Sequence, residues 1–395
     1  MNIKNIIVCG GGNAAHAIIP ILRKNFSGMI NLFLPYGDEA VHFNKLIDQK
    51  RHITATIEGK RFNGRPDKAS KFAKEVCQEA DLVLMPLPAF AHEQILLQLV
   101  PFLKDEVIIG AIPARSGFEY AALKILKDNK REKAIIFGMQ TLPWACRIKE
   151  YAAKVDVLGT KKSVGMAAFP HQVTSELASF LTQMLDLTIE PLPNMLTLSL
   201  ANAGQIIHPG IMYGLFKGKE KIKFRKEEIP LFYQGVTKEI AQTLKVMSDE
   251  ILALTKAIKN MDTSINLDHV LSLKDWLVHS YNESIANKSS LQTCFVTNRA
   301  YQGLTAPMKD ERDYYLPDYQ SRYLTEDVPF GLLVTKSIAQ LAEVDIPVID
   351  EVISVTCRWM GKEYVKKGFL EGKDLKDARI PQNYGINNLK DIIVY

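Results

Sequence analysis

Cysteine is scarce in this sequence: five residues in 395, an odd number, with no pair spaced C-x-x-C. That argues against a disulfide framework and against a cysteine zinc site. Long apolar runs are also missing, since none approaches the ~18 residues that a membrane helix needs. No long unbroken basic block occurs. The one basic cluster, KGKEKIKFRKEE (217–228), is interrupted by glutamates and reads as a solvated loop, so no nucleic-acid partner is expected. Internal repeats and low-complexity segments are absent, and the first residues carry no leader pattern. The expectation is a cytoplasmic protein with no membrane partner. A hydrophobic content of 47% with 24% charged residues is ordinary for a globular chain, and the length suggests two domains. The net charge of +5 suits anionic small molecules.

Short β-type runs alternate with helical patterns through about residue 190. Strands are expected at 5–10, 30–34, 82–86, 107–112, 134–139, 154–159 and 163–169. They are largely apolar throughout, as strands buried on both faces must be. AAHAIIPILRKN and FEYAALKILKDN have helical spacing between them. This alternation predicts an α/β doubly wound, Rossmann-type sheet. HITATIEGKRFNG (52–64) reads as an inserted hairpin.

The first strand runs directly into GGGNAAH. Gly10, Gly12 and Ala15 fit G-x-G-x-x-A at the opening of a helix. The first glycine permits the turn, the second admits a pyrophosphate, and the small third residue lets helix and strand pack closely. Gly10, Gly11, Gly12, Asn13, Ala14 and Ala15 are therefore candidate cofactor residues, and the helix N-terminus offers N–H groups to phosphate. Tyr36 and Asp38, at the end of the second strand, are the candidates for the ribose; Asp38 is equally placed to cap the next helix. The cofactor is expected to be NAD or NADP, with NADH favoured because no arginine adjoins Asp38 to hold a 2′-phosphate.

After the two prolines of EPLPNM the period changes to about 3.6. Val236, Ile240, Leu244, Met247, Ile251, Leu254 and Ile258 make one apolar stripe. Helices are also expected in PFGLLVTKSIAQLAEV (329–344) and PVIDEVISVTCRWMGKEYV (347–365), the latter opening at Pro347. The expected division is a dinucleotide-binding domain over 1–195 and an all-α domain over 196–395. Within the second, NAGQIIHPGIMYG places one histidine, His208, on an apolar segment beside Pro209. By itself that reads as a satisfied core histidine where a helix ends or kinks.

The ordered set CGGGNAAH, PAFAHE, TLPWACRIKE, IIHPGIMYG, PLFYQG, RYLTEDVPFG, GKEY and PQNYGINNL changes that reading. Together these segments resemble the octopine dehydrogenase family, the opine dehydrogenases, in its invertebrate-type form, nearly end to end. The resemblance implies a Rossmann domain joined to a helical opine-dehydrogenase domain. It implies reductive condensation of an amino acid with a pyruvate-like 2-oxo acid, using NAD(P)H, to a secondary amine bearing two carboxylates. It assigns His208 as the general acid/base, Asp327 as its partner, and Arg322 as the group holding the oxo-acid carboxylate. A reductase of related two-domain fold, acting on a 2-oxo acid or ketone without an amine, is the alternative. A non-catalytic dinucleotide sensor is a third reading.

The chemistry asks for these residue types. Protons move at the carbonyl oxygen and at nitrogen, and histidine titrates near neutrality. A carboxylate on the second ring nitrogen fixes the tautomer, and a planar guanidinium matches a carboxylate in two-point fashion. Thr141 is a further candidate for the oxo acid. Gln140 stands where arginine-using members of the family carry glutamate, so arginine is not the expected amine. Arg115 departs from the neutral residue usual there and is a possible second cation. Asn202 is either a substrate contact or a helix cap, and His92 either lies near the cofactor or is structural. Trp144 reads as a packing wall, and Cys146 has no indicated base. His16, His42, His52, His171, His269 and His279 lack ligand spacing, so no metal is expected. The partners are small-molecule substrates, and the protein is expected to be a monomer or homodimer.

Overall fold

The computed structural model describes residues 1–393. They divide into two compact units, one ending at Leu198 and the other starting at Ser199.

The first unit is built on an eight-stranded sheet. Its order is Thr188–Pro191, Ser163–Phe169, Ile135–Met139, Ile108–Ala111, Leu82–Met85, Asn5–Cys9, Met29–Phe33 and Lys68–Ser70. Six consecutive strands, from Ile135–Met139 to Lys68–Ser70, are parallel; Ser163–Phe169 joins Ile135–Met139 antiparallel. Side chains alternate between two cores. Ile6 and Val8 enter one with Ile18 and Leu22, while Ile7 and Cys9 enter the other with Ile95 and Phe118. Burial on both faces is why these strands read as unbroken apolar runs. Strand order reverses on either side of Asn5–Cys9, and ligands of such sheets bind at that switch point.

Helix Asn13–Asn25 follows that strand. Its buried face is Ala14, Ala15, Ala17, Ile18, Ile19, Ile21 and Leu22, and Arg23 and Lys24 complement the dipole in its last turn. Each fully buried isoleucine contributes about 1.5–3 kcal/mol.

A second sheet corrects one expectation. Lys154–Thr160 does not join the large sheet; it pairs with Ile53–Ile57 in parallel and with Trp144–Glu150 antiparallel. The reason is legible in its burial: Val155 and Val157 are buried while Lys154 is exposed and Asp156 half-buried. That alternation belongs to a strand with one covered face. The expected hairpin forms from Ile53–Ile57 and Lys60–Gly64. The three-residue strand Lys68–Ser70 and the four-residue Thr188–Pro191 were not expected; both are sheet edges too short to show a pattern.

The second unit is mainly helical. Helix Lys238–Met261 buries the stripe from Ile240 to Ile258, and the Thr237 hydroxyl accepts the Ile240 N–H at its start. Helix Pro347–Met360 opens on its proline and stops where Gly361 adopts φ +69°, short of the expected end. Helix Ala203–Phe216 runs through Pro209. Of the expected end or kink at His208, the end is therefore corrected: the helix continues past Pro209. The segment 329–344 splits into a π-turn, Val328–Leu332, and helix Leu333–Leu341.

Candidate active site

In the first unit, Gly10 adopts φ +86°, and a Cβ there would lie 2.6 Å from Leu87 Cδ2. The positive φ is what calls for glycine; the Leu87 methyl could shift. At Gly12 a Cβ would meet nothing within 4 Å, so the space beside that backbone is open. No side chain caps the helix that starts at Asn13. Open space beside a bare helix N-terminus fits a pyrophosphate. The Asn13 side chain is turned elsewhere: its Oδ1 accepts the Ile148 N–H at 2.7 Å. His16 anchors the turn, with Nδ1 3.0 Å from the Gly12 carbonyl oxygen and Nε2 accepting the Ala152 N–H at 2.8 Å. It is fully buried, and desolvation lowers its pKa below the ordinary value.

Tyr36 is exposed and its hydroxyl donates to Gln94 Oε1 at 2.9 Å. Asp38 holds the N-cap position of helix Glu39–Asp48 without a capping bond; its carboxylate pairs with His42 at 3.2 Å. Glu39 lies over the Gly11 backbone beside the Tyr151 hydroxyl.

Three loops of this unit carry the other candidates. Arg115 follows the strand Ile108–Ala111 with φ +60°, a conformation that costs a non-glycine residue about 1–2 kcal/mol. Gln140 and Thr141 follow Ile135–Met139, and the Gln140 N–H is bonded to the Gly165 carbonyl at 2.9 Å. Lys161, which the sequence did not single out, donates to the Leu142 carbonyl at 3.2 Å. Burial, then the nearby Arg115 guanidinium, bring it down to about 8. His92 is buried and bonded to the Leu87 carbonyl at 3.1 Å. Trp144 is buried in its strand, as a packing wall would be. Cys146 is also buried, which pushes its thiol up to about 11 and disfavours a thiolate.

In the second unit, His208 and Asp327 meet across 119 residues, with Nδ1 2.7 Å from Oδ2. The carboxylate places the proton on Nδ1. Asp327 is almost fully buried, whereas the His208 side chain is 17% exposed. A π-turn starts at the next residue, Val328, and such turns re-aim the chain at functional positions. Tyr233 Oη lies 3.0 Å from His208 Nε2, and Tyr323 stacks face to face on the imidazole at 4.2 Å. Arg322 opens the short helix Arg322–Thr325, and its Nε and Nη2 bond Glu326 Oε2 at 2.9 and 2.5 Å. The Arg322 side chain is 58% exposed, and the guanidinium N–H groups not bonded to Glu326 could hold an anion. Asn202 is buried at the N-cap position of the His208 helix but makes no capping side-chain bond. Tyr233, Tyr323 and Glu326 were missed as site residues. PLFYQG and RYLTEDVPFG contain them, but only Glu326 had a spacing signal, i,i+4 from Arg322.

Among the described residues no cluster of His, Cys, Asp and Glu could hold a metal ion, and no helix is long and apolar enough to cross a membrane.

Comparison with known proteins places this geometry. The family described as NAD/NADP octopine/nopaline dehydrogenase, alpha-helical domain, matches residues 191–360. The opine dehydrogenase of Haliotis discus hannai is 34% identical, over 98% of this chain and 98% of its own. The tauropine dehydrogenase of Arabella iricolor is 32% identical, over 98% of this chain and 99% of its own. A solved octopine dehydrogenase with NADH and L-arginine superposes with a TM-score of 0.91 at 32% identity, covering 99% of this chain and 98% of that one.

Proposed function

This chain belongs to the opine dehydrogenase family, and we propose that His208, Asp327 and Arg322 carry its reaction. The enzyme joins the amino group of an amino acid to the carbonyl of a 2-oxo acid and reduces the product of that condensation. When bound, the nicotinamide cofactor supplies the hydride. His208 moves the protons, held in one tautomer by Asp327, and the free edge of Arg322 orients the oxo-acid carboxylate. The observation that carries this reading is the 2.7 Å His208–Asp327 contact beside an exposed arginine.

The Gly10–Ala15 turn would hold the cofactor phosphates, with Tyr36 and Asp38 toward the ribose. Carboxylates at Asp38 and Glu39 repel a 2′-phosphate, which favours NADH over NADPH. Gln140 and Thr141 would line the substrate pocket, Gln140 beside the amine. Arg115, with Lys161 near it, favours an oxo acid carrying a second carboxylate. Five buried thiols without disulfides suit a cytoplasmic enzyme.

The test is oxidation of NADH and NADPH with a panel of amino acids against pyruvate, glyoxylate and 2-oxoglutarate. Oxidation that depends on the amine is expected, and amine-independent oxidation would refute the reading. In Arg115→Gln the preference for 2-oxoglutarate over pyruvate should fall; an unchanged ratio removes Arg115 from the site.

A further inference from the structure

Both nitrogens of His208 are engaged by its own helical unit. Nδ1 is bonded to Asp327, and an imidazole nitrogen has a single in-plane bonding direction, so the Tyr233 hydroxyl at 3.0 Å takes up Nε2 entirely. Tyr323 covers one face of the ring. A substrate proton reaches this imidazole through the Tyr233 hydroxyl, or else that hydroxyl must be displaced.

We propose that Tyr233 is a catalytic residue: its hydroxyl relays the proton between His208 and the substrate oxygen. The proposal rests on His208 being the acid/base. A hydroxyl suits the place because it both donates and accepts. It donates to Nε2 of neutral His208 and accepts from the imidazolium, a reversal that neither a carboxylate nor an ammonium can make. Its ring is held independently of the hydroxyl, stacked on Tyr301 at 4.0 Å and edge-on to Phe232 at 4.9 Å. Burial raises the phenol well above its ordinary pKa, so the group passes protons without residing as tyrosinate.

The step balances. The amine enters and the product leaves as ammonium ions; a C–N bond and a C–H bond form, and the carbonyl C–O bonds break. Hydride from the reduced cofactor ends on carbon, and one further proton is taken up so that the oxygen departs as water. In the relay, imidazolium Nε2–H passes to Tyr233 Oη as the Tyr233 proton passes to the substrate oxygen. Tyrosine is unchanged, and His208 is left neutral with Nδ1–H on Asp327. The imidazole is recharged by the same path in reverse: Tyr233 passes its proton to Nε2 as its oxygen takes one from the water or ammonium ion that occupies the substrate position.

Tyr233→Phe removes the oxygen and keeps the ring contacts. With melting temperature and NADH affinity matched to wild type, its single-turnover rate should fall roughly 10²-fold. Rates in H2O–D2O mixtures should be curved for wild type, where two protons move together, and linear for Tyr233→Phe. Turnover and solvent isotope effect both at wild-type level in Tyr233→Phe would overturn the relay, since the substrate then reaches Nε2 directly. A linear wild-type profile would overturn it too. His208→Ala separates the two readings: if it is inactive while Tyr233→Phe is normal, only the relay fails; if it is fully active, the acid/base assignment has failed as well.

Discussion

Ala152 donates its backbone N–H to Nε2 of His16 over 2.8 Å, tying the helix that follows the glycine turn to a turn 136 residues away. Nδ1 of the same ring, 3.0 Å from the Gly12 carbonyl oxygen, carries the single proton. The Nε2 contact requires neutral imidazole, because a protonated Nε2 would face an N–H donor.

The consequence is a pH dependence whose sign is set. Burial holds the folded-state pKa of His16 below the unfolded value of about 6.5. The unfolded chain therefore binds more protons in that window, and stability rises with pH. The contribution is complete above about pH 6.5 and is lost as pH falls below it. Denaturant unfolding at pH 5.5 and 7.5 should show the difference, and His16→Gln should show less of it. His16→Ala also leaves the Ala152 N–H without its acceptor, at about 1–3 kcal/mol. Equal pH dependence in wild type and His16→Gln would remove His16 as the source.

The His208–Asp327 pair should dominate turnover. His208→Ala is expected to lose roughly 10²–10⁴-fold in kcat, the range for a general acid/base. Asp327→Asn keeps the shape but removes the charge that sets the tautomer, so its kcat should fall and its pH–rate profile move. Steady-state kinetics from pH 6 to 9 decide this; near-normal His208→Ala turnover with an unchanged profile would sink the assignment.

Arg322 should act through its grip on Glu326. Two bonds to one buried carboxylate fix the guanidinium plane and leave an edge outward. Arg322→Met removes the charged partner of the oxo acid and should raise its KM with little effect on the amine. Glu326→Gln loses the charge-assisted bonds and lets the plane turn, so the oxo-acid KM should rise about tenfold, or ~1.4 kcal/mol. A lower KM in Glu326→Gln would mean instead that the glutamate competes with substrate for the arginine.

Much of this architecture was legible in the chain. Ile6 to Cys9 and Leu82 to Met85 are buried on both faces and read as unbroken apolar runs. The 3.6-residue stripe from Ile240 to Ile258 is likewise inside. Lys154–Thr160 was assigned to the wrong sheet because membership depends on its partner, Ile53–Ile57, a hundred residues earlier. Asp327 was reachable only through family resemblance, since no local periodicity links it to His208. Tyr233 was hidden for the same reason: a hydroxyl 25 positions from its partner, in a loop, leaves no spacing to read. Pro209 does not end the helix, because the buried residues around it, Ile206, Ile207 and Ile211, hold the segment together.

Amine choice is expected to turn on the absence of a charge at Gln140. A guanidinium substrate leaving water needs an acidic partner, because hydrogen bonds alone do not balance a desolvated cation. Gln140 offers a neutral amide just after strand Ile135–Met139. A neutral amino acid or sulfonate amine, such as alanine, glycine or taurine, should therefore give the higher kcat/KM, measured beside arginine, histidine and glutamate at saturating oxo acid. Gln140→Glu changes the group by one charge at nearly constant shape. It should gain arginine activity while losing some toward the uncharged amines, whose pocket then holds an unpaired carboxylate. A wild-type preference for arginine, or a Gln140→Glu enzyme that gains none, would place the specificity-setting charge elsewhere.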